Sequence, residues 1–135
     1  MKLVFKKLQL KIVQNERATY SFAELKEFID WEVKRVYFIQ DCKENTGQHC
    51  HKQEKEMFVM QKGSCVAVID QGNGKEEIPL EGPGDAIYVG DYVWHGFKDF
   101  SLDAVLLALS STNYSPDRSD YVEDYEEYKK LVHSQ

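Results

Sequence analysis

Runs of five to eight residues that favour extended backbone, each closed by a turn signal, recur roughly every 8 to 12 positions along most of this chain. Val33–Gln40 is rich in β-branched and aromatic residues. Glu56–Gln61 and Ser64–Asp70 flank Lys62-Gly63, and Gln71-Gly72-Asn73-Gly74 is a strong hairpin signal because Asn and Gly tolerate positive φ. Glu76–Leu80 returns, Gly82-Pro83-Gly84 turns again, and Asp85–Val89, Val93–Phe97 and Ala104–Ser110 complete the series. Leu3, Phe5, Leu8, Leu10 and Ile12 nearly alternate, with a slip at Lys6-Lys7. This spacing predicts an all-β sandwich or barrel and argues against βαβ units. At 135 residues the chain reads as one domain, 1–135.

Two stretches depart from the β pattern. Ser21-Phe22-Ala23-Glu24 has the form of a capping box, and Leu25, Phe28, Ile29 and Val33 fit a helical stripe, so strand and helix both stay open over residues 21–32. At the C-terminus, Tyr121, Tyr125, Tyr128 and Leu131/Val132 share one helical face, with acids early and lysines late. A short terminal helix is expected there, with Ser119 or Asp120 as its cap.

Composition narrows the function classes. Lys plus Arg is 17 against 23 Asp plus Glu, a net charge of −6, which disfavours sequence-independent nucleic-acid binding. Hydrophobic residues at 42% exclude a disordered chain. The longest purely apolar run, Ala104–Leu109, is far short of the ~20 residues that span a bilayer. Cys42, Cys50 and Cys65 form no CxxC pair, and no secretory signal is legible in Met1–Lys7, so free thiols in the cytoplasm are expected.

The chemistry concentrates between Thr46 and Asp99. His49 and His51 stand at i and i+2 of an extended segment, so both imidazoles share one face. Glu56 and Gly63 complete the pattern H-x-H-x4-E-x6-G, and Gly84, Gly90, His95 and Asp99 follow downstream. Over residues 47–99 this resembles the two sequence motifs of the cupin superfamily, with Gly90, Tyr92 and Asp99 at positions where the second motif usually differs. The resemblance implies an antiparallel cupin, or jelly-roll, barrel with a site inside. Two chemistries suit such a set. His49, His51, Glu56 and His95 could ligate a divalent transition metal with positions left open for substrate. Alternatively, the histidines could take and return a proton without metal.

A narrower family fits roughly residues 15–131. Val33–Ile39, Gly47-Gln48-His49-Cys50-His51-Lys52, Gly63-Ser64-Cys65, Tyr88-Val89-Gly90, Val93-Trp94-His95, Asp120-Tyr121 and Tyr125-Glu126 together resemble the dTDP-4-oxo-6-deoxyglucose 3,4-ketoisomerases, related to the WxcM-like sugar cupins. That resemblance implies a homodimer with exchanged N-terminal strands, no metal requirement, and a dTDP-linked 4-oxo-6-deoxyhexose as substrate. It implies supply of 3-oxo sugars for 3-amino-3,6-dideoxyhexoses of surface glycans. His51 becomes the expected base, with His49 its partner and Tyr37 a proton relay on the neighbouring strand. His95 is expected to line the cavity, and Arg17 and Arg35 to face the pyrophosphate, which suits a guanidinium fork. Lys52 is expected on the opposite face, and Trp94 in the core. Thr46 stands where the family commonly has arginine, Cys50 where it has alanine, and Glu56 where metal-free members often lack a glutamate. A metal-dependent cupin enzyme and a non-catalytic nucleotide-sugar binder remain the alternatives.

Overall fold

The computed structural model describes residues 1–134 of the chain. Its architecture follows from where the turn residues let the strands fold back. Strands β1 (Phe5–Gln9), β2 (Lys11–Gln14), β3 (Thr19–Phe22) and β4 (Arg35–Gln40) come first. Strands β5 (Cys50–His51), β6 (Glu56–Lys62), β7 (Ser64–Asp70), β8 (Lys75–Glu81) and β9 (Asp85–Val89) follow. Strands β10 (Trp94–Lys98), β11 (Val105–Ser110) and β12 (Tyr121–Val122) then lead into helix α1 (Tyr125–His133). One sheet runs β1-β9-β6-β11-β4, and a second runs β10-β7-β8. An antiparallel bridge between His49 and His95 carries the β12–β5 pair onto the edge of the second sheet. All these pairings are antiparallel, and the fold is the expected jelly roll.

The turn chemistry is visible in detail. Gly63 takes φ +73° between β6 and β7, and a Cβ there would meet the Ala104 backbone at 2.9 Å. At the β7–β8 hairpin the Asp70 carboxylate accepts from the N–H groups of Gly72 (2.7 Å) and Gly74 (3.2 Å). A short side-chain acceptor in the turn satisfies donors that the ladder leaves free.

Period-2 alternation sorts the side chains into three layers. Between the sheets, Phe58, Met60, Ile87, Val89 and Leu106 meet Cys65, Ala67, Ile69, Leu80 and Phe97. Outside the first sheet, Met57, Val59 and Leu109 are covered by Ala23, Phe28, Ile29, Trp31 and Val33. Outside the second sheet, Cys50 and Trp94 lie under Tyr125, Tyr128, Leu131 and Val132 of α1.

The open stretch at 21–32 is neither a strand nor an α-helix throughout. Ser21 pairs with Ile12 in the β2–β3 hairpin and so caps nothing. Only Leu25–Glu27 forms a 3-10 turn. The apolar residues beyond it spread across a broad sheet surface, and an extended path covers more of that surface than one helical stripe. The terminal helix forms as expected but starts later. Asp124, rather than Ser119 or Asp120, accepts from Glu127 N–H at 2.9 Å. Tyr121 belongs to β12 because its backbone pairs with His51.

Candidate active site

Alternation aims the polar residues inward at one end of the sandwich. On β5 and the residues before it, Cys50 points outward beneath α1, while His49 and His51 point in. On β4, Val36 and Phe38 face out and Tyr37 and Ile39 face in. On β6, Glu56 occupies the same inner face as Phe58 and Met60, one register step nearer the opening. His95 arrives from β10, buried, with Nδ1 3.0 Å from the Val93 carbonyl oxygen.

These elements surround a cavity of about 260 Å³ lined by Tyr37, Thr46, His49, Phe58, His95 and Arg118 among others. His49 and His95 form its wall. His51 is buried directly behind His49, their Nε2 atoms 3.1 Å apart and their rings edge to face. Glu56, only 1% exposed, lies at the centre. Its Oε2 accepts the Tyr37 hydroxyl, and its Oε1 stands 3.4 Å from both His51 Nε2 and His95 Nε2. That distance is long for a hydrogen bond, and Oε1 has no hydrogen-bond partner.

Behind His51 the polar network continues. Its Nδ1 is 3.1 Å from Asp120 Oδ2 and 3.5 Å from Glu54 Oε1. The other Glu54 oxygen is held by Arg35 at 2.7 Å and by Ser110 Oγ at 2.6 Å. The Tyr121 ring covers both His49 and His51, with centroids 5.0 and 4.5 Å away.

The two adjacent imidazoles live in opposite fields. Burial, helped by the neighbouring charges of His95 and His51, lowers the pKa of His49 to about 3. Burial pulls His51 down too, but the carboxylate of Glu56 3.4 Å away, then Glu54 and Asp120, more than offset it and raise its pKa. Burial alone would raise Glu56, yet His51 and His95 hold it well below the usual carboxylate range. Burial and the adjacent Glu56 charge keep Tyr37 a neutral phenol far above its ordinary range. A proton delivered to the His49–His51 pair therefore resides on His51, and Tyr37 remains a donor.

The structure gathers His49, His51, His95, Tyr37 and Glu56 into one cluster, with Arg35 beside it. Arg17 is elsewhere: it is exposed at the tip of the β2–β3 hairpin, its backbone N–H bonded to Asn15 Oδ1, and it does not line this cavity. Lys52 is exposed, and Trp94 is buried against α1, its Nε1–H donating to Gln48 at 3.0 Å.

The family profile described as FdtA, WxcM-like, C-terminal matches residues 4–133. The chain belongs to this FdtA/WxcM-like family. A curated relative from Aneurinibacillus thermoaerophilus, named TDP-4-oxo-6-deoxy-alpha-D-glucose-3,4-oxoisomerase, is 37% identical over 129 residues, covering 94% of this chain and 91% of the relative. The crystal structure of a TDP-quinovose 3,4-ketoisomerase from Campylobacter jejuni is similar with a TM-score of 0.83 and 31% identity, over 93% of this chain and 97% of that one. A His-to-Asn variant of a 3,4-ketoisomerase from Thermoanaerobacterium thermosaccharolyticum, in complex with TDP-4-keto-6-deoxyglucose, has a TM-score of 0.86 at 25% identity, covering 97% and 95%.

Several site residues in this FdtA/WxcM-like chain escaped the sequence reading. Glu54 gave no signal, because a glutamate between two lysine-bearing positions reads as surface. Arg118 stands at the cavity mouth with its guanidinium 3.9 Å from the Tyr121 ring centroid, and nothing in its surroundings in sequence marks it. Asp120 sits inside a segment that carried the family resemblance, and that was the available signal.

Proposed function

We propose that this protein is a sugar 3,4-ketoisomerase that converts dTDP-4-oxo-6-deoxyglucose to a dTDP-3-oxo-6-deoxyhexose. The observation that carries the reading is the His49–His51 pair: two imidazoles 3.1 Å apart, with pKa values pushed in opposite directions, at the wall of a sugar-sized cavity. The relatives' names point to the same reaction.

The chemistry moves one proton off C3 and one onto C4, balanced by a proton gained at O4 and one lost from O3. The hydrogen on C3 is acidic because C4 carries the ketone. The histidine pair takes that proton, and the C–H electrons become the C3=C4 double bond of an enediol whose O4 is protonated. The O3 proton then leaves as the C3 ketone forms, and C4 receives a proton. No oxidant or reductant is consumed. His51 is the base that holds the proton, with His49 its partner on the cavity side. Tyr37, an inward phenol bonded to Glu56, is the proposed relay, and His95 lines the sugar.

The nucleotide half falls to arginines. Arg35, 23% exposed and held on Glu54 beside the cluster, is the proposed phosphate contact. For Arg17 the reading requires a second copy. Ile12, Val13, Tyr20 and Phe22 are exposed on the β2–β3 hairpin, and Val36 and Phe38 on β4, with Phe38 64% exposed. A homodimer with exchanged N-terminal strands would cover these apolar residues and bring Arg17 toward the partner's cavity. The mass of the protein in solution tests this. Three free cysteines support a cytoplasmic location, and among the described residues no helix is long and apolar enough to cross a membrane. The 3-oxo product would feed an amination that makes 3-amino-3,6-dideoxyhexoses for surface glycans.

No cofactor is required in this mechanism. A metal-dependent reading has one specific observation in its favour: the ligand atoms of His49, His51 and His95 lie within 4.8 Å of one another, next to the unpartnered Oε1 of Glu56. These residues fit a divalent cation, which when bound would act as a Lewis acid on a substrate oxygen. One transition metal per chain in protein purified without added metal, and activity abolished by chelator, would favour it over the metal-free route.

Proton NMR of dTDP-4-oxo-6-deoxyglucose incubated with the protein in D2O tests the proposal. A 3-oxo sugar with deuterium at C4 is the expected product. Intact substrate after hours at high enzyme, with dTDP still bound, would leave a nucleotide-sugar binder instead.

A further inference from the structure

We infer that Asp120 is a positioning residue that fixes which nitrogen of His51 exchanges its proton. The inference rests on the ketoisomerase reading, in which His51 is the base. Asp120 lies just before β12, and its main chain is tied to the turn after β5, where its carbonyl accepts from Lys52 N–H at 2.9 Å. Its carboxylate accepts from Gln53 N–H at Oδ1 (2.7 Å) and from Glu54 N–H at Oδ2 (3.3 Å). Both oxygens are thereby held by the backbone of the segment that carries His51. The same Oδ2 stands 3.1 Å from His51 Nδ1.

Both carboxylate oxygens already act as acceptors of backbone N–H bonds, so Nδ1 supplies the hydrogen of this contact. Exchange is thus confined to Nε2, the nitrogen that faces His49 at 3.1 Å and Glu56 Oε1 at 3.4 Å, on the cavity side. The remaining charged or titratable neighbours do not supply this constraint. Glu54 Oε1 is 3.5 Å from Nδ1, and its other oxygen is occupied by Arg35 and Ser110. His95 and Tyr121 pack against the ring through their own rings. Tyr37 reaches the cluster only through Glu56. Of the acceptors around His51, Asp120 is therefore the one with both the distance and an anchored geometry. Two backbone bonds, one of them short, set its orientation before substrate arrives. An imidazole held in one tautomer presents its lone pair without the cost of rearranging in the transition state.

The test is Asp120→Asn, with Glu54→Gln as comparison. The asparagine oxygen keeps the short bond from Gln53 N–H, which turns its NH2 toward His51 Nδ1. That amide donates, so it selects the tautomer with a bare Nδ1 and a hydrogen on Nε2. We expect kcat to fall about 10²-fold or more, with KM and the Kd for dTDP within about threefold of wild type. Glu54→Gln should leave the tautomer in place. Nitrogen-15 NMR of labelled histidine, at a pH where His51 is neutral, reads the tautomer without any turnover. Wild type should show hydrogen on Nδ1 and Asp120→Asn hydrogen on Nε2. Hydrogen on Nε2 in wild type, an unchanged kcat in folded Asp120→Asn, or a loss confined to KM and dTDP affinity would each overturn the role. If wild type lacks isomerase activity while the tautomers behave as stated, the positioning contact stands and the reaction assignment falls.

Discussion

The two ends of the space between the sheets are built from the same alternation and do opposite things. At one end Phe58, Met60, Ile69, Leu80, Ile87 and Leu106 interdigitate, all essentially inaccessible to solvent. At the other, the inner positions carry Glu56, His51 and His95, as buried as the apolar residues, and the partly buried Tyr37. Strand β6 belongs to both: Glu56 opens it in the polar cluster, and Phe58 and Met60 continue into the apolar core two and four residues later. The apolar end stabilises the fold simply by leaving water, roughly 1.5–3 kcal/mol per large side chain. The polar end gains only where each charge finds a partner, since an unpaired buried polar group costs about 1–3 kcal/mol. The protein keeps Glu56 Oε1 unpartnered even so, and it does so beside the two histidines that face it. A rigid apolar floor is what allows such a cluster to hold its geometry.

The largest expected effect comes from the polar end. His51→Asn should lower kcat by about 10²–10⁴-fold while dTDP affinity stays near wild type, measured by steady-state kinetics and calorimetry. Wild-type turnover in that variant would remove His51 from the chemistry and make the two ends equivalent in function. The mirror experiment belongs to the floor. Leu106→Ala should cost about 2–5 kcal/mol of unfolding free energy in a denaturant titration, because neighbouring side chains fill the cavity only in part. The kcat of the folded fraction should hold. A tenfold fall in that kcat would mean the floor tunes the site rather than merely carrying it.

How much of this was legible before the structure depended on which physical rule set each position. Alternation and turn residues marked β6 through β11 because a sheet with one buried face must repeat every two residues. The pairing of His49 with His51 followed from the same rule. Glu56 and His95 were legible through the resemblance of their spacing from His49 and His51 to the cupin motifs. Glu54 was not, because its burial depends on Arg35 and Ser110, which lie 19 and 56 residues away in sequence. The path of residues 23–33 was equally hidden. Whether Phe28, Ile29 and Trp31 form a helical stripe or an extended cover depends on the width of the sheet they meet, which local sequence does not encode. The helix cap failed for a related reason: Asp120 is spent on His51 and the turn at Gln53, leaving Asp124 for α1.

Acidification sharpens the contrast between the ends, because only one of them titrates. His49 has its folded pKa lowered to about 3 from 6.5, so its contribution is full above pH 6.5 and lost as pH falls toward 3. Glu56 is lowered as well, so its share is present above pH 4.5 and is lost further down. His51 is raised, and its share is full below pH 6.5 and lost as pH climbs through its folded value. Tm measured from pH 4 to 9 should therefore pass through a maximum near neutrality. In His51→Asn the decline on the alkaline side should shrink. A Tm profile flat across pH 4 to 6.5 would show that His49 does not hold the protonation state assigned to it.

The smallest effect tests whether the outer layer is separate from the polar end. Helix α1 packs Tyr128 and Tyr125 over Trp94, one residue from His95, and is joined through β12 to Asp120. Asp124→Ala removes the side chain that caps the helix, a change expected to cost about 1 kcal/mol in stability. Fraying of the first helical turn should reach Glu127 and stop, because Tyr128 is anchored by its hydroxyl, whose one hydrogen is shared between the carbonyls of Tyr92 (2.7 Å) and Asp70 (3.0 Å). With that anchor intact, Trp94 and hence His95 keep their places, and kcat should stay within about twofold of wild type. A larger fall in kcat at unchanged folded fraction would show instead that the helix start is mechanically continuous with Asp120 and His51. The polar end would then extend from the cavity to the outer surface, and the division into a rigid floor and a polar mouth would have to be redrawn along β12.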